Sequence, residues 1–361
     1  MVCFAAVHTW FWAHHQIVDW PGYEAYGRAI VDQGSVPYRD FAVEYPPGAL
    51  PVFVVPTALA DYAAAFAALM ALCGVLLVGD VSAIDRRAAF YVALAPILVG
   101  SLILSRFDLW PALLLAVALL ALLERRDTLG WAFLGAAAGA KLWPLVVWPV
   151  ALHWSAAHGR ARSAWAGAAV LAATLVPFAV LAPHGLWSSI HGQASRPLQI
   201  ESLAASLLTV FGDPRVVTSH GSQNIAAHGL LAGVSVALVA LALVVVWVDF
   251  ARGPATRERF LRSTAAAVCA FVAFGKVLSP QFLLWLIPLV PLVRGRRGAA
   301  AVALLTAACV LTQVWFPQRY FDYVETFRLA GVVLLRNVVL VALFAVLVWP
   351  TRAGVGRPSG I

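Results

Sequence analysis

This chain of 361 residues contains only two lysines, Lys141 and Lys276, and each interrupts an apolar run shortly before a proline. The first stands in Gly139-Ala140-Lys141-Leu142-Trp143-Pro144, the second in Lys276-Val277-Leu278-Ser279-Pro280-Gln281. An ammonium held at such a break can neutralise an anion such as a phosphate and steady the negative charge that grows as a group departs. Acids occur at comparable points. Asp19 closes the first apolar run; Asp40 and Glu44 lie in Val36-Pro37-Tyr38-Arg39-Asp40 and Glu44-Tyr45-Pro46-Pro47. Arg106 and Asp108 share Ser105-Arg106-Phe107-Asp108-Leu109-Trp110-Pro111, and Arg196, Gln199 and Glu201 follow later. A carboxylate so placed can take the proton of an attacking hydroxyl. Ionisable groups in or beside hydrocarbon cost about 2.5–3.5 kcal/mol each on insertion scales, so those that persist are paired or functional. One lysine near a helix end can simply snorkel to the interface; two in matching positions need another reason. The nine histidines show no metal-ligand spacing. Cys3, Cys73, Cys269 and Cys309 frame neither a CxxC motif nor a disulfide scaffold. No metal and no cofactor are expected.

Composition says what must carry these groups. Hydrophobic residues make up 62% and charged residues 12% of the chain, against about 45–50% and about 25% in soluble proteins. This is a membrane protein. A soluble enzyme, a disordered chain and a nucleic-acid binder are excluded, because the net charge of +8 comes from arginines spaced between apolar runs rather than gathered on one face. Runs able to cross the bilayer fall at roughly 1–18, 48–78, 88–104, 109–123, 129–140, 143–154, 164–183, 228–250, 263–275, 281–293, 299–316 and 329–349. The expected fold is all-α and polytopic, a single transmembrane domain over 1–361 with about 10–12 membrane helices. No cleavable signal peptide is expected at the start of the chain.

Orientation follows from the arginines, since short cytoplasmic loops hold the excess of Arg and Lys. Those at 86–87, 125–126, 160–162, 252–262, 294–297 and 352–357 all face the cytoplasm if both termini are inside. Segments 129–154 and 263–293 each lie between basic loops, so each must turn back as a hairpin of two short helices, at Lys141–Pro144 and Lys276–Gln281. Irregular backbone at membrane depth is tolerated only against protein or a wet cavity, so both lysines are expected on the outer side of one cavity. Two outer loops, 19–47 and 184–227, are left as the room for a site, with an interfacial helix expected near 22–33.

The order of these motifs, from Asp19-Trp20-Pro21-Gly22-Tyr23-Glu24-Ala25-Tyr26 through Glu44-Tyr45-Pro46-Pro47 and Arg196-Pro197-Leu198-Gln199-Ile200-Glu201-Ser202-Leu203 to Lys276–Gln281, resembles the membrane-embedded GT-C glycosyltransferases, and family 87 in particular. The likeness runs over about 15–295. That family includes mycobacterial-type polyprenyl-phosphate-mannose-dependent α-1,2-mannosyltransferases. The resemblance implies a sugar moved, with inversion, from a polyprenyl-phosphate donor to an envelope glycolipid or glycan acceptor at the outer face of the cell membrane. It implies Asp19 as catalytic base. Lys141, Lys276 and Arg106 are then expected to bind the donor phosphate. Asp40, Glu44, Tyr45, Asp108, Arg196, Gln199, Glu201, Ser279 and Gln281 are expected to hold sugar and acceptor. Mannosyltransferase members carry a histidine shortly after the late Ser-Pro, whereas Gln281-Phe282 follows here. The rival class is a secondary transporter or lipid flippase, which also builds sites from short-helix hairpins. The motif order shows no inverted repeat and the charges lie on one side, which favours an enzyme.

Overall fold

The computed structural model describes residues 18–349; the expected span over 1–18, apart from its last residue, lies outside them. The chain enters through α1 (Trp20–Val31), the interfacial helix expected near 22–33. Residues 48–78 do not form one helix. Pro46, Pro47, Pro51 and Pro56 remove successive backbone donors, and Pro47–Ala58 folds as short helical turns packed on α1, with the Tyr23 and Phe53 rings stacked 4.5 Å apart. The span itself is α2 (Tyr62–Ile84), started by Asp61, whose carboxylate accepts the Ala64 N–H at 3.0 Å.

The longer helices that follow are α3 (Arg86–Val99), α4 (Leu109–Leu123), α5 (Asp127–Ala140), α6 (Trp148–Ala157) and α7 (Ala164–Leu181). After them come α8 (Pro183–Ser195), α9 (Leu203–Phe211), α10 (Gly229–Arg252), α11 (Arg257–Phe274), α12 (Gly295–Trp315), α13 (Tyr320–Thr326) and α14 (Ala330–Val348). Among the described residues five helical segments are long and apolar enough to cross a bilayer: α2, Ala161–Leu181, α10, α12 and α14. Shorter helices fill the space between them. This is an all-α polytopic membrane protein.

Contacts at the helix ends separate two faces. On the arginine-rich face, Arg294 pairs with Asp85 at 2.9 Å, Arg160 with Asp127 at 2.5 Å, and Arg257 donates to the Ile84 carbonyl at 3.1 Å. On the opposite face Trp110 donates to the Gly48 carbonyl at 3.1 Å and the Gln199 N–H to the Lys276 carbonyl at 2.9 Å. Both expected hairpins form, α5 into α6 and α11 into Pro280–Leu292, and both turn on that opposite face. The two hairpins meet where Trp143, in the first turn, stacks at 4.8 Å on Trp285, in the helical turn after the second.

Glycines set two close approaches near these turns. A Cβ on Gly135 would lie 2.3 Å from the Gly167 carbonyl oxygen, so α5 and α7 touch backbone to backbone. A Cβ on Gly48 would lie 2.5 Å from Gly139, which is what lets the 44–48 turn lie against the end of α5 beside Lys141.

The segment 184–227 carries more structure than a loop. It holds α8, α9 and a three-stranded antiparallel sheet of β1 (Leu198–Gln199), β2 (Val216–Ser219) and β3 (Ser222–Ile225) in the order β1-β3-β2, with Ile225 opposite both Leu198 and Val216. A further segment corrects the expectation that two loops leave the only room for a site. Residues 316–329, containing α13, cover the same face, where the Tyr323 hydroxyl donates to the Ile200 carbonyl at 2.8 Å.

Candidate active site

Asp19 is the residue before α1, and the turn at 106–108 brings Arg106 to it as an ion pair. The Tyr23 hydroxyl, one turn along α1, reaches the other carboxylate oxygen at 3.4 Å. Arg106 is 5% exposed, and burial pulls its guanidinium down to about 10 against the support of nearby acids. Asp19 lines a cavity of about 1080 Å³.

Asp108, two residues after Arg106, points the other way and is fully buried. A single oxygen, Oδ1, accepts from Lys141 Nζ at 2.7 Å and from Trp285 Nε1 at 2.6 Å. The Lys141 ammonium lies over the rings of Phe107, Trp285, Phe282 and Tyr45, 4.7–5.8 Å from their centroids. Such faces attract a cation. Burial pulls the Lys141 ammonium below its ordinary value, and Asp108 opposes that.

Lys276 also lines the cavity, and its ammonium donates to the Ala194 carbonyl at the end of α8, at 2.7 Å. Burial and the neighbouring Arg196 both pull it down. Arg196 ties the outer segments together: it reaches Glu44 at 3.4 Å, Ser222 at 3.0 Å and the His220 carbonyl at 3.2 Å. Gln199 donates to the Ser279 hydroxyl at 2.9 Å, and Gln281 and Tyr45 lie on the same wall. Glu201 lines the cavity too, 2% exposed, with burial pushing its carboxyl up to about 7.

Two expected residues are not brought in. Asp40 is exposed and held by Arg39 at 2.8 Å and by the Val36 N–H at 2.7 Å, which keep its carboxyl down at about 2. Its work is to close a local turn, and the cavity is not lined by it. Asp108 lies behind Lys141 rather than on the surface of the cavity. Sequence reasoning also missed Trp143, Trp285, Phe316 and Tyr320 on the wall. A signal for the last two was present: Pro317-Gln318-Arg319-Tyr320-Phe321-Asp322 is a polar and aromatic interruption between two apolar runs.

The deeper wall is apolar. Val236, Val239, Ala240, Leu243, Val244 and Trp247 form one helical stripe of α10. It is about 16 Å long at 1.5 Å per residue. Among the described residues no group of three or more His, Cys, Asp and Glu side chains comes together.

The profile of glycosyltransferase family 87 matches residues 43–280. The chain belongs to that family. The family 87 match contains Glu44, Arg106, Lys141, Glu201, Lys276 and Ser279, while Asp19 precedes it. Among solved structures, that of ArnT from Cupriavidus metallidurans bound to undecaprenyl phosphate is similar at 17% identity, with 96% of this chain and 76% of that chain covered and a TM-score of 0.51. The same protein in the apo state matches at 16% identity over the same shares, with a TM-score of 0.48. No curated protein matches the sequence. The chain is therefore a membrane glycosyltransferase of the GT-C fold, and the transporter alternative falls away.

Proposed function

We propose that this family 87 glycosyltransferase moves mannose from a polyprenyl-phosphate donor to an envelope glycolipid or glycan, on the extracytoplasmic face and with inversion at the anomeric carbon. One observation carries the reading: a single cavity is lined by the Asp19 carboxylate, by two lysines at the breaks of adjoining hairpins and by an apolar stripe of a long apolar helix. A lipid-linked phosphate has those three needs. The undecaprenyl phosphate bound to ArnT, a protein of the same fold, supports a ligand of that class. The excess of arginine on the other face supports the extracytoplasmic placing, since cytoplasmic loops are the basic ones.

In this reading the polyprenyl tail lies along α10 and the phosphate sits by Lys276 and Lys141, which stabilise its charge as the bond from the anomeric carbon to the phosphate oxygen breaks. Asp19 takes the proton of the acceptor hydroxyl as that oxygen attacks from the opposite side. Arg106, placed among the phosphate ligands by sequence, instead orients Asp19 through their ion pair. Gln199, Ser279 and Gln281 offer neutral donors and acceptors to sugar hydroxyls. A β-linked donor then gives an α-glycoside.

Incubating the purified protein with a panel of polyprenyl-phosphate sugars and extracted envelope glycolipids tests this. Transfer of mannose from the lipid donor into an α-linkage is expected. Transfer from a nucleotide sugar instead, or retention of configuration, would contradict the reading.

A further inference from the structure

Glu201 lines the cavity, and the reaction above gives it no part. Its backbone is fixed from below. The carbonyl accepts from Arg336 Nη2 at 2.9 Å and from Asn337 Nδ2 at 3.1 Å, and Asn337 also holds Ser206 at 2.9 Å. The neighbouring Ile200 carbonyl accepts from Tyr323. The side chain is 2% exposed and the Tyr320 hydroxyl engages its carboxyl group, while Oε2 has no hydrogen-bond partner among the described residues.

The charged and titratable groups around that carboxyl come from four directions. Arg196 precedes it on the same segment, Arg106 comes from the turn before α4, Tyr320 and Tyr323 from α13, and Arg336 from α14. None of the three arginines forms an ion pair with it among the described residues. Arg106 pairs with Asp19 and Arg196 with Glu44, while Arg336 bonds the Glu201 carbonyl and faces the Trp315 ring at 5.5 Å. A carboxylate buried without such a partner is costly, whereas the protonated acid carries a donor that an anion in the cavity can use.

We propose that Glu201 serves as a neutral carboxylic acid whose Oε2–H hydrogen-bonds the phosphodiester of the bound donor, so that the cavity accepts this anion only while Glu201 keeps its proton. The inference rests on the reading of a lipid-phosphate donor. Its sign is fixed. The carboxyl is neutral below about 7 and ionised above it, so donor affinity is full on the acid side and lost as the pH rises. A bound anion favours the protonated acid further, so binding near neutrality takes up a proton.

The test uses the full chain in nanodiscs and the monomethyl ester of a polyprenyl phosphate, a phosphodiester whose single charge does not titrate in this range. Titration calorimetry from pH 5.5 to pH 8.5 should show affinity falling about tenfold per pH unit above the carboxyl's midpoint. Measurement in buffers of different ionisation enthalpy should show proton uptake at pH 7.5. In Glu201→Gln the amide still donates but cannot ionise, so the decline and the proton uptake should both vanish. Persistence of the decline in Glu201→Gln would assign it to Lys141 or Lys276 and overturn the proposal, as would pH-independent binding without proton uptake by the unaltered protein. The proton measurement needs no variant, so it decides even if Glu201→Gln does not fold. Failure of the unaltered protein to bind the probe at any pH would remove the lipid-phosphate reading together with this one.

Discussion

The two lysine hairpins begin from nearly the same sequence pattern and end in different electrostatic states. Lys141 is enclosed by four aromatic rings and paired at 2.7 Å with a fully buried carboxylate. Lys276 is bonded to a backbone carbonyl of the outer segment, and among the described residues no carboxylate pairs with it. The difference teaches that depth and turn position set where an ammonium stands, while the counter-charge sets what it is free to do. Lys141 meets a ligand with its charge already shared with Asp108. Lys276 is a charge the fold leaves for a ligand, although both look into one cavity.

The largest effect should come from breaking the first arrangement. Asp108→Ala strands the Lys141 ammonium among aromatic rings, and removal of one partner of a buried pair costs about 3–5 kcal/mol. Thermal unfolding in detergent should show it; a variant as stable as the parent would mean that the rings alone sustain the charge. Lys276→Met should leave stability nearly unchanged and weaken donor binding by about 1.5–3 kcal/mol, the worth of a hydrogen bond to a charged group. Equal losses of stability in Lys276→Met and Lys141→Met would erase the contrast. Glu44→Gln should cost less, about 1 kcal/mol at most, because the Glu44 end of its pair with Arg196 is 36% exposed. Asp40→Asn should leave turnover near that of the parent protein, because Asp40 closes a turn outside the cavity.

The hairpins were readable in the sequence because each segment lies between two basic loops that must share one side of the membrane, so a single pass is excluded, and a Lys-to-Pro break marked its middle. The shared cavity followed from that. The partners of the charges did not. Arg106 lies two residues from Asp108 in the chain, yet the turn between them sends one to Asp19 and the other to Lys141. Spacing along a turn does not reveal the direction in which a side chain leaves it. The local hold on Asp40 was no more legible: Arg39 and the Val36 N–H engage its carboxylate in the turn, outside the cavity. The break in 48–78 was visible as Pro51 and Pro56, after Pro46 and Pro47, and was overridden by hydropathy. The Trp143–Trp285 stack joins positions far apart in sequence and leaves no local trace.

Asp19→Asn tests most directly whether Asp19 takes the acceptor's proton, with turnover and donor binding measured on the same preparation. The amide keeps the shape of the side chain but cannot take the proton, so turnover should fall by about 10²–10⁴-fold while the donor still binds. Near-native turnover in Asp19→Asn, with Asp40→Asn inactive instead, would contradict the account and move the base to the exposed turn.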